Sequence, residues 1–338
     1  MKDLIRIKRR HFLVMPFALA ACNFRDGILR LSGLTMGTTY NVIAVDNDGK
    51  TSEADLQSAV ETGLARVNSQ MSNWNAGSEI SRFNAQGTGT ARLSDDLATV
   101  VQAAQDVHMA SNGMFDVTVG RLVDLWGFGA GTTGNAIPAD TAIAEAMEGT
   151  GQSRNLRLSG NALEKLDDST EIYLSSIGKG YGVDVVAAAV ESFGITDYMV
   201  EIGGDLYTSG NNPDGQPWQI GIEAPFAGSR EVHQVASVSG FGLATSGDYR
   251  NFFEQGGVRY SHIIDPTTGY PITHNTVSAT VLTDNAMLAD AWATAMLTLG
   301  RDRGMEIAEA RNMAVVFIEN DGNALGTSAS SRFAALQA

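Results

Sequence analysis

Cysteine, basic side chains and long apolar runs are all scarce in this chain of 338 residues. A single cysteine excludes an intramolecular disulfide, so the fold is not stabilised by cross-links. Lysine and arginine number 23 against 38 aspartates and glutamates, which gives a net charge of −15. That acidity argues against nucleic acid as a partner and against adsorption on anionic lipid, because the phosphates would repel the protein. Beyond residue 20, no apolar run is long enough to cross a bilayer.

The N-terminal segment has the features of an export signal. Basic residues at 8–10 precede an apolar run over 11–20, which is too short to span a bilayer. The run leads into LAAC at 19–22, which matches the lipobox of bacterial lipoproteins, in which the cysteine is acylated. Because Cys22 is the only cysteine, we predict a lipoprotein signal peptide over 1–21, cleaved before Cys22. The mature chain is then lipid-anchored on the periplasmic side of a bacterial membrane, with the inner membrane favoured over the outer.

Two alternatives remain open for this segment. An ordinary signal peptide could precede a cysteine by chance. Arg9 and Arg10 are also compatible with twin-arginine export, so the sequence does not choose between that route and general secretion.

The spacing of apolar residues predicts an α+β fold. Strands do not alternate regularly with helices, which argues against a doubly wound parallel sheet. We expect a linker over 22–33 and one large domain over 34–338, built from mixed or antiparallel sheets with flanking helices. Helices are predicted at 52–71, after Ser78, at 94–112, after Pro138, at 183–193 and at 286–299. Strands are predicted at 34–42, 114–119, 156–158, 162–166, 171–174, 198–202, 218–223, 232–243, 258–264 and 277–282.

The stretch 244–271 concentrates polar residues at the end of an apolar strand. VRYSHII at 258–264 is rich in β-branched and aromatic residues, and DPTTG at 265–269 is a typical tight turn. This arrangement places His262 and Asp265 at a strand end beside a glycine-bearing loop, where functional sites are commonly built.

The helix predicted at 286–299 carries a pair of oxygen-bearing side chains. Asp290 and Thr294 are spaced i, i+4 and therefore lie on the same face, surrounded by alanines. A carboxylate and a hydroxyl suit Mg²⁺, which takes few protein ligands. The alternative is a hydroxyl satisfied by its own backbone and an aspartate near solvent.

Three further signals are weaker. Trp74 in a polar loop is either a cover for the core edge or a stacking surface for a planar ligand. Asp116 in an apolar stretch needs hydrogen-bond donors or a cation, and it could simply cap a neighbouring loop. SSIGKGYG at 175–182 precedes a helix and has the composition of a phosphate-binding turn, although it matches no standard nucleotide fingerprint.

Taken in order, these motifs resemble those of the ApbE family, the FAD:protein FMN transferases. The matching segments cover nearly the whole chain after residue 34, and they are TMGTTY, MSNWNAGSEISRFN, FDVTVGRLVDLWGFG, LSSIGKGYGVD, IGGDLYTSG, ATSGDYRNFFE, RYSHIIDPTTGYPI and LADAWATAMLTLG. The resemblance implies a flavin cleft between subdomains of an α+β domain. It also agrees with an export signal, since many members of the family are membrane-tethered.

The resemblance implies an enzyme that binds FAD and Mg²⁺ and cleaves the pyrophosphate. FMN is attached through a phosphoester to a threonine or serine of a partner protein, such as a subunit of a respiratory or redox membrane complex, and AMP leaves. His262 matches the base that activates the acceptor hydroxyl. The metal positions are Ser176, Asp290 and Thr294. The FAD contacts are Met36, Trp74, Met114, Phe115, Asp116, Lys179 and Ile264.

The chain departs from the family pattern at two positions. Tyr173 stands where the family usually has an aspartate, and Ala293 stands where some members have a second acidic residue near the metal. Two other functions remain open. An FAD pyrophosphatase would use the same site with water in place of the acceptor, and a flavin-binding lipoprotein would have no catalytic activity.

Overall fold

In the computed structural model, which describes residues 27–129, 136–226, 228, 231–322 and 324–338, one large sheet organises the chain. Cys22 and the predicted signal peptide 1–21 lie outside these residues. The strands are β1 Ile28–Thr35, β2 Thr38–Val45, β3 Gly89–Arg92, β4 Leu156–Ser159, β5 Ala162–Lys165, β6 Asp197–Ile202, β7 Asp205–Ser209, β8 Trp218–Glu223, β9 Val232–Val238, β10 Phe241–Gly247, β11 Phe252–Gln255, β12 Val258–Ser261, β13 Thr276–Thr283, β14 Ala314–Asn320 and β15 Leu325–Ala329. The helices are α1 Glu53–Met71, α2 Glu79–Ala85, α3 Asp95–Ala110, α4 Gly120–Leu125, α5 Asp140–Glu148, α6 Gln152–Asn155, α7 Gly178–Ser192, α8 Ala286–Ala310 and α9 Ser331–Leu336.

The large sheet has eight strands in the order β1-β2-β6-β7-β10-β13-β14-β15, and every pairing within it is antiparallel. Three small antiparallel sheets accompany it, formed by β3-β5-β4, β8-β9 and β11-β12. The predicted α+β class is therefore confirmed. Of the mixed or antiparallel sheets that we expected, the antiparallel kind is present throughout the named strands.

The sheet is covered on both faces. Helices α1, α7 and α8 cover one face, where Val60, Val186 and Met296 are fully buried. The small β8-β9 sheet and α9 cover the other face, where Trp218 and Phe333 are buried. Because both faces are covered, β13 is buried along nearly its whole length. No helix among the described residues has the length and apolarity needed to cross a membrane.

The strand predicted over 34–42 is instead a hairpin. Strands β1 and β2 pair directly, with Thr35 opposite Thr38, and Met36 and Gly37 between them have φ of 50° and 74°. Two successive positive φ values are those of a hairpin turn, so Gly37 marks the turn. The predicted linker also ends earlier, because residues from Ile28 onward already pair in β1.

The strand predicted over 114–119 is instead a tight loop that Asp116 holds together. Its Oδ1 accepts from the Thr118 N–H at 2.7 Å and from the Thr118 hydroxyl, and its Oδ2 accepts from the Gln152 N–H at 3.0 Å. The carboxylate is buried, so these donors offset its desolvation. Of the two interpretations offered for Asp116, the loop cap is what the structure contains.

The segment 171–174, predicted as a strand, is extended but pairs with side chains and a loop, not with a sheet. Asn73 and Asn84 both donate to the Ile172 carbonyl at 2.8 Å, and they accept from the N–H groups of Leu174 and Ile172. Two asparagine amides thus take the place of a neighbouring strand, and the chain leaves this segment directly into α7.

Most other predicted boundaries are confirmed, but the strand predicted over 258–264 ends at Ser261. Ser52, Ser78 and Ser94 cap α1, α2 and α3 as expected. The stretch 232–243 contains two strands, β9 and β10, because Gly240 turns the chain between them with a φ of 74°. Gly300 interrupts α8 at the predicted stop, again with a φ of 74°, but helix resumes immediately after it.

Helices α7 and α8 cross at very short range at Gly180. A Cβ added to Gly180 would lie 2.2 Å from the Ala286 carbonyl oxygen and 2.8 Å from the Asp290 Cβ, so only glycine fits. The Gly180 N–H donates to Asp290 Oδ2 at 3.1 Å. One turn after Gly180 in α7, Asp184 accepts from the Ala286 and Met287 N–H groups at 2.7 and 2.9 Å. These contacts fix the start of α8 against α7.

We expect Gly180→Ala to lower the free energy of unfolding by about 2 kcal/mol, because the added methyl group overpacks the crossing. Gly178→Ala, two residues earlier in the same helix, is the matched control. Its added Cβ would meet only the Leu174 Cβ at 3.8 Å. Urea unfolding of both variants measures the difference, and equal stabilities would contradict the close crossing.

We expect Asp116→Ala to lower the free energy of unfolding by about 2–4 kcal/mol without any ligand present, because two buried N–H groups lose their acceptor. Asp265→Ala is the matched control. Asp265 accepts from the N–H and hydroxyl of Thr267 in the same i, i+2 pattern, but at an exposed turn where water can replace it. Thermal and urea unfolding of the two variants would show a difference only if Asp116 has the structural role.

Candidate active site

A cavity of about 780 Å³ opens beside the large sheet, at the turn between β6 and β7 and next to the crossing of α7 and α8. Its volume is within the range of sites for small molecules and cofactors. All of the predicted site residues among those that the structure describes line it, with the exception of Met36. They are Trp74, Met114, Phe115, Asp116, Ser176, Lys179, His262, Ile264, Asp290 and Thr294.

Met36 lies outside this lining because it belongs to the β1-β2 turn. A Cβ added to Gly182 would lie 2.6 Å from the Met36 methyl group, which places that side chain against α7. Met36 packs on the same helix that carries Lys179, but behind the cavity wall.

A cluster of one ammonium group and two carboxylates forms the inner wall of the cavity. Lys179 Nζ forms a short ion pair with Asp205 Oδ2 and lies 3.8 Å from Asp290 Oδ1. Both aspartates are buried, and Asp290 is held from its other oxygen by the Gly180 N–H. Two carboxylates share one ammonium group, so the cluster has an excess of negative charge.

That excess changes the protonation equilibria of the cluster. Burial, followed by the charge of Asp290, raises the pKa of Asp205 to about 7 although Lys179 opposes the shift. Burial likewise raises the pKa of Asp290. For Lys179 burial lowers the pKa, but the two aspartates more than offset this and the net pKa is raised. The ammonium group is therefore charged at neutral pH, while the aspartates favour a further cation or a proton.

The oxygen donors beside this cluster suit a hard cation. Thr294, one turn after Asp290, shares a hydrogen bond of 3.1 Å with the Ser246 hydroxyl, and Ser176 lines the same cavity just before α7. Asp290 is buried and not near solvent, which excludes one of the alternatives considered for this pair. In the part of the chain that the structure describes, no three His, Cys, Asp or Glu residues form a metal cluster. A cation bound here would therefore rely on few carboxylates and on hydroxyl or non-protein oxygens, as Mg²⁺ does.

His262 lines the same cavity and lies directly after β12, which ends at Ser261. Its Nδ1 is 3.0 Å from the Asn251 carbonyl oxygen. A carbonyl oxygen can only accept, so Nδ1 carries the proton and Nε2 keeps its lone pair. Burial lowers the pKa of His262 from its ordinary value, with a smaller opposing effect of the Asn251 carbonyl. The imidazole is thus neutral at physiological pH and able to accept a proton.

An aromatic pair forms part of the cavity rim. The rings of Trp74 and Tyr173 have centroids 5.5 Å apart and are tilted by 56°. Trp74 is 62% exposed, so it does not cover the core. Burial, followed by the charge of Asp124, raises the pKa of Tyr173 to about 12, which keeps the phenol neutral. In place of the expected carboxylate, this position presents an aromatic, uncharged surface.

The remaining predicted residues contribute in different ways. Met114 and Phe115 are buried and present only part of their surface to the cavity. Ile264 forms an isolated bridge with Pro271, which closes the turn after His262. The carboxylate of Asp265 is used by the backbone and hydroxyl of Thr267, so this residue shapes the turn.

Two participants were missed by sequence reasoning. Asp205 follows the Gly203-Gly204 turn, where an aspartate is ordinarily a turn residue, and nothing local shows that it meets Lys179. Asn251 acts through its carbonyl oxygen, which any residue could supply. Only the presence of Asp at the first position of a buried strand could have signalled Asp205.

Comparison with known proteins agrees with this geometry. A family model described as the ApbE family matches residues 36–317. The chain is 44% identical to the FAD:protein FMN transferase of Vibrio cholerae over 318 residues, covering 93% of this chain and 94% of the relative. It is 40% identical to the FAD:protein FMN transferase of Haemophilus influenzae, with 95% of each chain covered.

The fold is similar as well. The solved structure of the flavin transferase ApbE from Vibrio cholerae superposes with a TM-score of 0.85 at 42% identity, covering 91% of this chain and 98% of that one. Sequence and fold agree over nearly the full length of both chains. The chain described here therefore belongs to the ApbE family.

Proposed function

We propose that this protein is an FAD:protein FMN transferase, which moves FMN from FAD to a hydroxyl group of another protein. The observation that carries the proposal is the content of one cavity. A neutral histidine with a free Nε2 lone pair shares that cavity with a buried cluster of one lysine and two aspartates. The first is suited to deprotonating a hydroxyl group, and the second, because of its negative excess, is suited to binding a cation that neutralises the charge of a pyrophosphate.

The reaction is a substitution at the phosphorus of the FMN half of FAD. The acceptor oxygen forms a bond to that phosphorus while the bond to the bridging oxygen of the pyrophosphate breaks. AMP leaves with the bridging oxygen, and the hydroxyl proton passes to His262 Nε2. The Asn251 carbonyl keeps the proton of the imidazole on Nδ1 and so directs Nε2 to the substrate.

The other cavity residues bind and orient FAD. Lys179 supplies a positive charge for the phosphates. Trp74 and Tyr173 offer aromatic surface to one of the two planar ring systems of FAD, and stacking on such surface is worth about 1–3 kcal/mol per ring.

We further propose that Mg²⁺ is the cofactor, held by Asp290, Thr294 and Ser176. When bound, it would neutralise negative charge that develops on the phosphate oxygens. The oxygen-only donor set and the negative excess around Asp290 support this assignment.

The family resemblance and the predicted export signal support a proposal for the acceptor and the location. We propose that the acceptor hydroxyl belongs to a threonine or serine of a protein on the periplasmic side, such as a subunit of a respiratory or redox membrane complex. The proposed lipid anchor on Cys22 would keep the enzyme at that membrane surface, and the acidic body of the protein would stand off from anionic headgroups.

We expect His262→Ala to reduce FMN transfer by about 10²–10⁴-fold, because the general base is lost, while FAD affinity changes less than about twofold. The matched control is His233→Ala, which removes a histidine bonded to Thr327 outside the cavity. Incubation with FAD, Mg²⁺ and candidate acceptors, followed by acceptor mass measurement, gives the result. Release of FMN and AMP with an unmodified acceptor would instead identify a pyrophosphatase, and flavin retained on the chain itself would identify a flavin carrier.

The pH profile separates a base from a residue that only shapes the cavity. Because the pKa of His262 is lowered below 6.5, the wild-type transfer rate should be constant from about pH 8 to about pH 6.5 and fall at lower pH. Full transfer by His262→Ala, or a rate that already falls through pH 7.5, would contradict the assignment.

For the anchor, we expect Cys22→Ser to abolish acyl labelling and to move the protein from the membrane fraction to the periplasmic fraction, because no thiol remains to be acylated. Labelling with a fatty-acid analogue and fractionation of cells measure both effects. A variant that stays in the membrane fraction would overturn the lipoprotein assignment and leave the transferase assignment untouched.

A further inference from the structure

The lysine of the inner cluster lies against both buried carboxylates. Lys179 Nζ contacts Asp205 and lies 3.8 Å from Asp290 Oδ1, the oxygen of Asp290 that is not held by the Gly180 N–H. The two carboxylates are 3% and 4% exposed. A buried carboxylate needs hydrogen-bond donors or a cation, and here the cation beside both carboxylates is the lysine.

The Lys179 side chain can rotate away from the two aspartates. Its side chain is about one third exposed to the cavity, whereas both aspartates are fixed, Asp205 at the start of β7 and Asp290 within α8. Lysine carries a compact charge on a flexible four-carbon stem. Displacing the ammonium group therefore needs only side-chain rotation into the cavity.

Charge repulsion opposes the simultaneous binding of the Lys179 ammonium group and a divalent cation at the two aspartates. A divalent ion bound to Asp290 would lie within a few ångströms of the ammonium group, and like charges at about 4 Å repel by several kcal/mol even at an effective dielectric constant of 20. Glu201 also lines the cavity and its charge acts on Lys179, so it offers the ammonium group an anionic neighbour other than the two aspartates.

We propose that Lys179 and a divalent cation compete for the Asp205–Asp290 pair, so that Asp205 is a further residue of the metal site and metal entry releases Lys179 into the cavity. This inference rests on the proposed function for the identity of the metal site. It adds that metal binding makes the Lys179 ammonium group available to the phosphates of FAD.

The test uses Mn²⁺ as a probe visible by electron paramagnetic resonance, on purified enzyme without FAD. We expect Lys179→Met, which keeps the length of the side chain and removes the charge, to bind Mn²⁺ at least about tenfold more tightly than wild type. The double variant Lys179→Met/Asp205→Asn should lose this gain, and Asp290→Asn should bind Mn²⁺ far more weakly than wild type. Equal or weaker binding by a folded Lys179→Met variant would overturn the competition.

A second measurement does not depend on a variant that folds. Lysines are few, at positions 2, 8, 50, 165 and 179, so the side-chain ¹⁵N signals of labelled wild-type enzyme are readily assigned. Mg²⁺ should shift the Lys179 signal and leave those of Lys50 and Lys165 in place. An unshifted Lys179 signal at saturating Mg²⁺ would overturn the inference, while loss of transfer in the acceptor assay alone would bear only on the proposed function.

Discussion

The close crossing of α7 and α8 at Gly180 is the constraint on which the inner wall of the cavity depends. Because Gly180 has no side chain to collide with the Ala286 carbonyl, the helices can approach until the Gly180 N–H reaches Asp290. Asp184 adds a cap across the same junction, and burial raises its pKa to about 6 despite the two N–H groups that it accepts from. Lys179, next to Gly180, is thereby directed at Asp205 and Asp290.

The cavity contains a cluster of charged side chains and, apart from it, a neutral histidine. On the inner wall, buried charges of both signs stand in direct contact, with an excess of negative charge that invites a cation. Elsewhere in the cavity lining, His262 is neutral, with its tautomer set by the Asn251 carbonyl. A neutral imidazole and a cluster of buried charges need different surroundings. They lie on different segments, His262 directly after β12 and the cluster on α7, α8 and β7, so the fold provides both.

Several residues near the cavity serve the fold first. Asp116 holds a loop together with hydrogen bonds to Thr118 and Gln152, and Asn73 with Asn84 replaces a missing strand along 171–174. These hydrogen bonds hold the backbone segments that carry Phe115 and Tyr173, which line the cavity. Tyr173 forms an aromatic rim with Trp74 at this cavity.

The α+β class and the helix starts at Ser52, Ser78 and Ser94 could be predicted from the sequence, because they depend on local periodicity and capping. Most residues that meet in the cavity were predicted from motifs that resemble those of the ApbE family. The sequence did not determine the hairpin at Met36, the loop around Asp116 or the partnership of Lys179 with Asp205. Asp205 lies 26 positions after Lys179, and the Gly203-Gly204 turn conceals its burial. Only tertiary packing, which brings β7 beside α7 and α8, decides that these charges share one site.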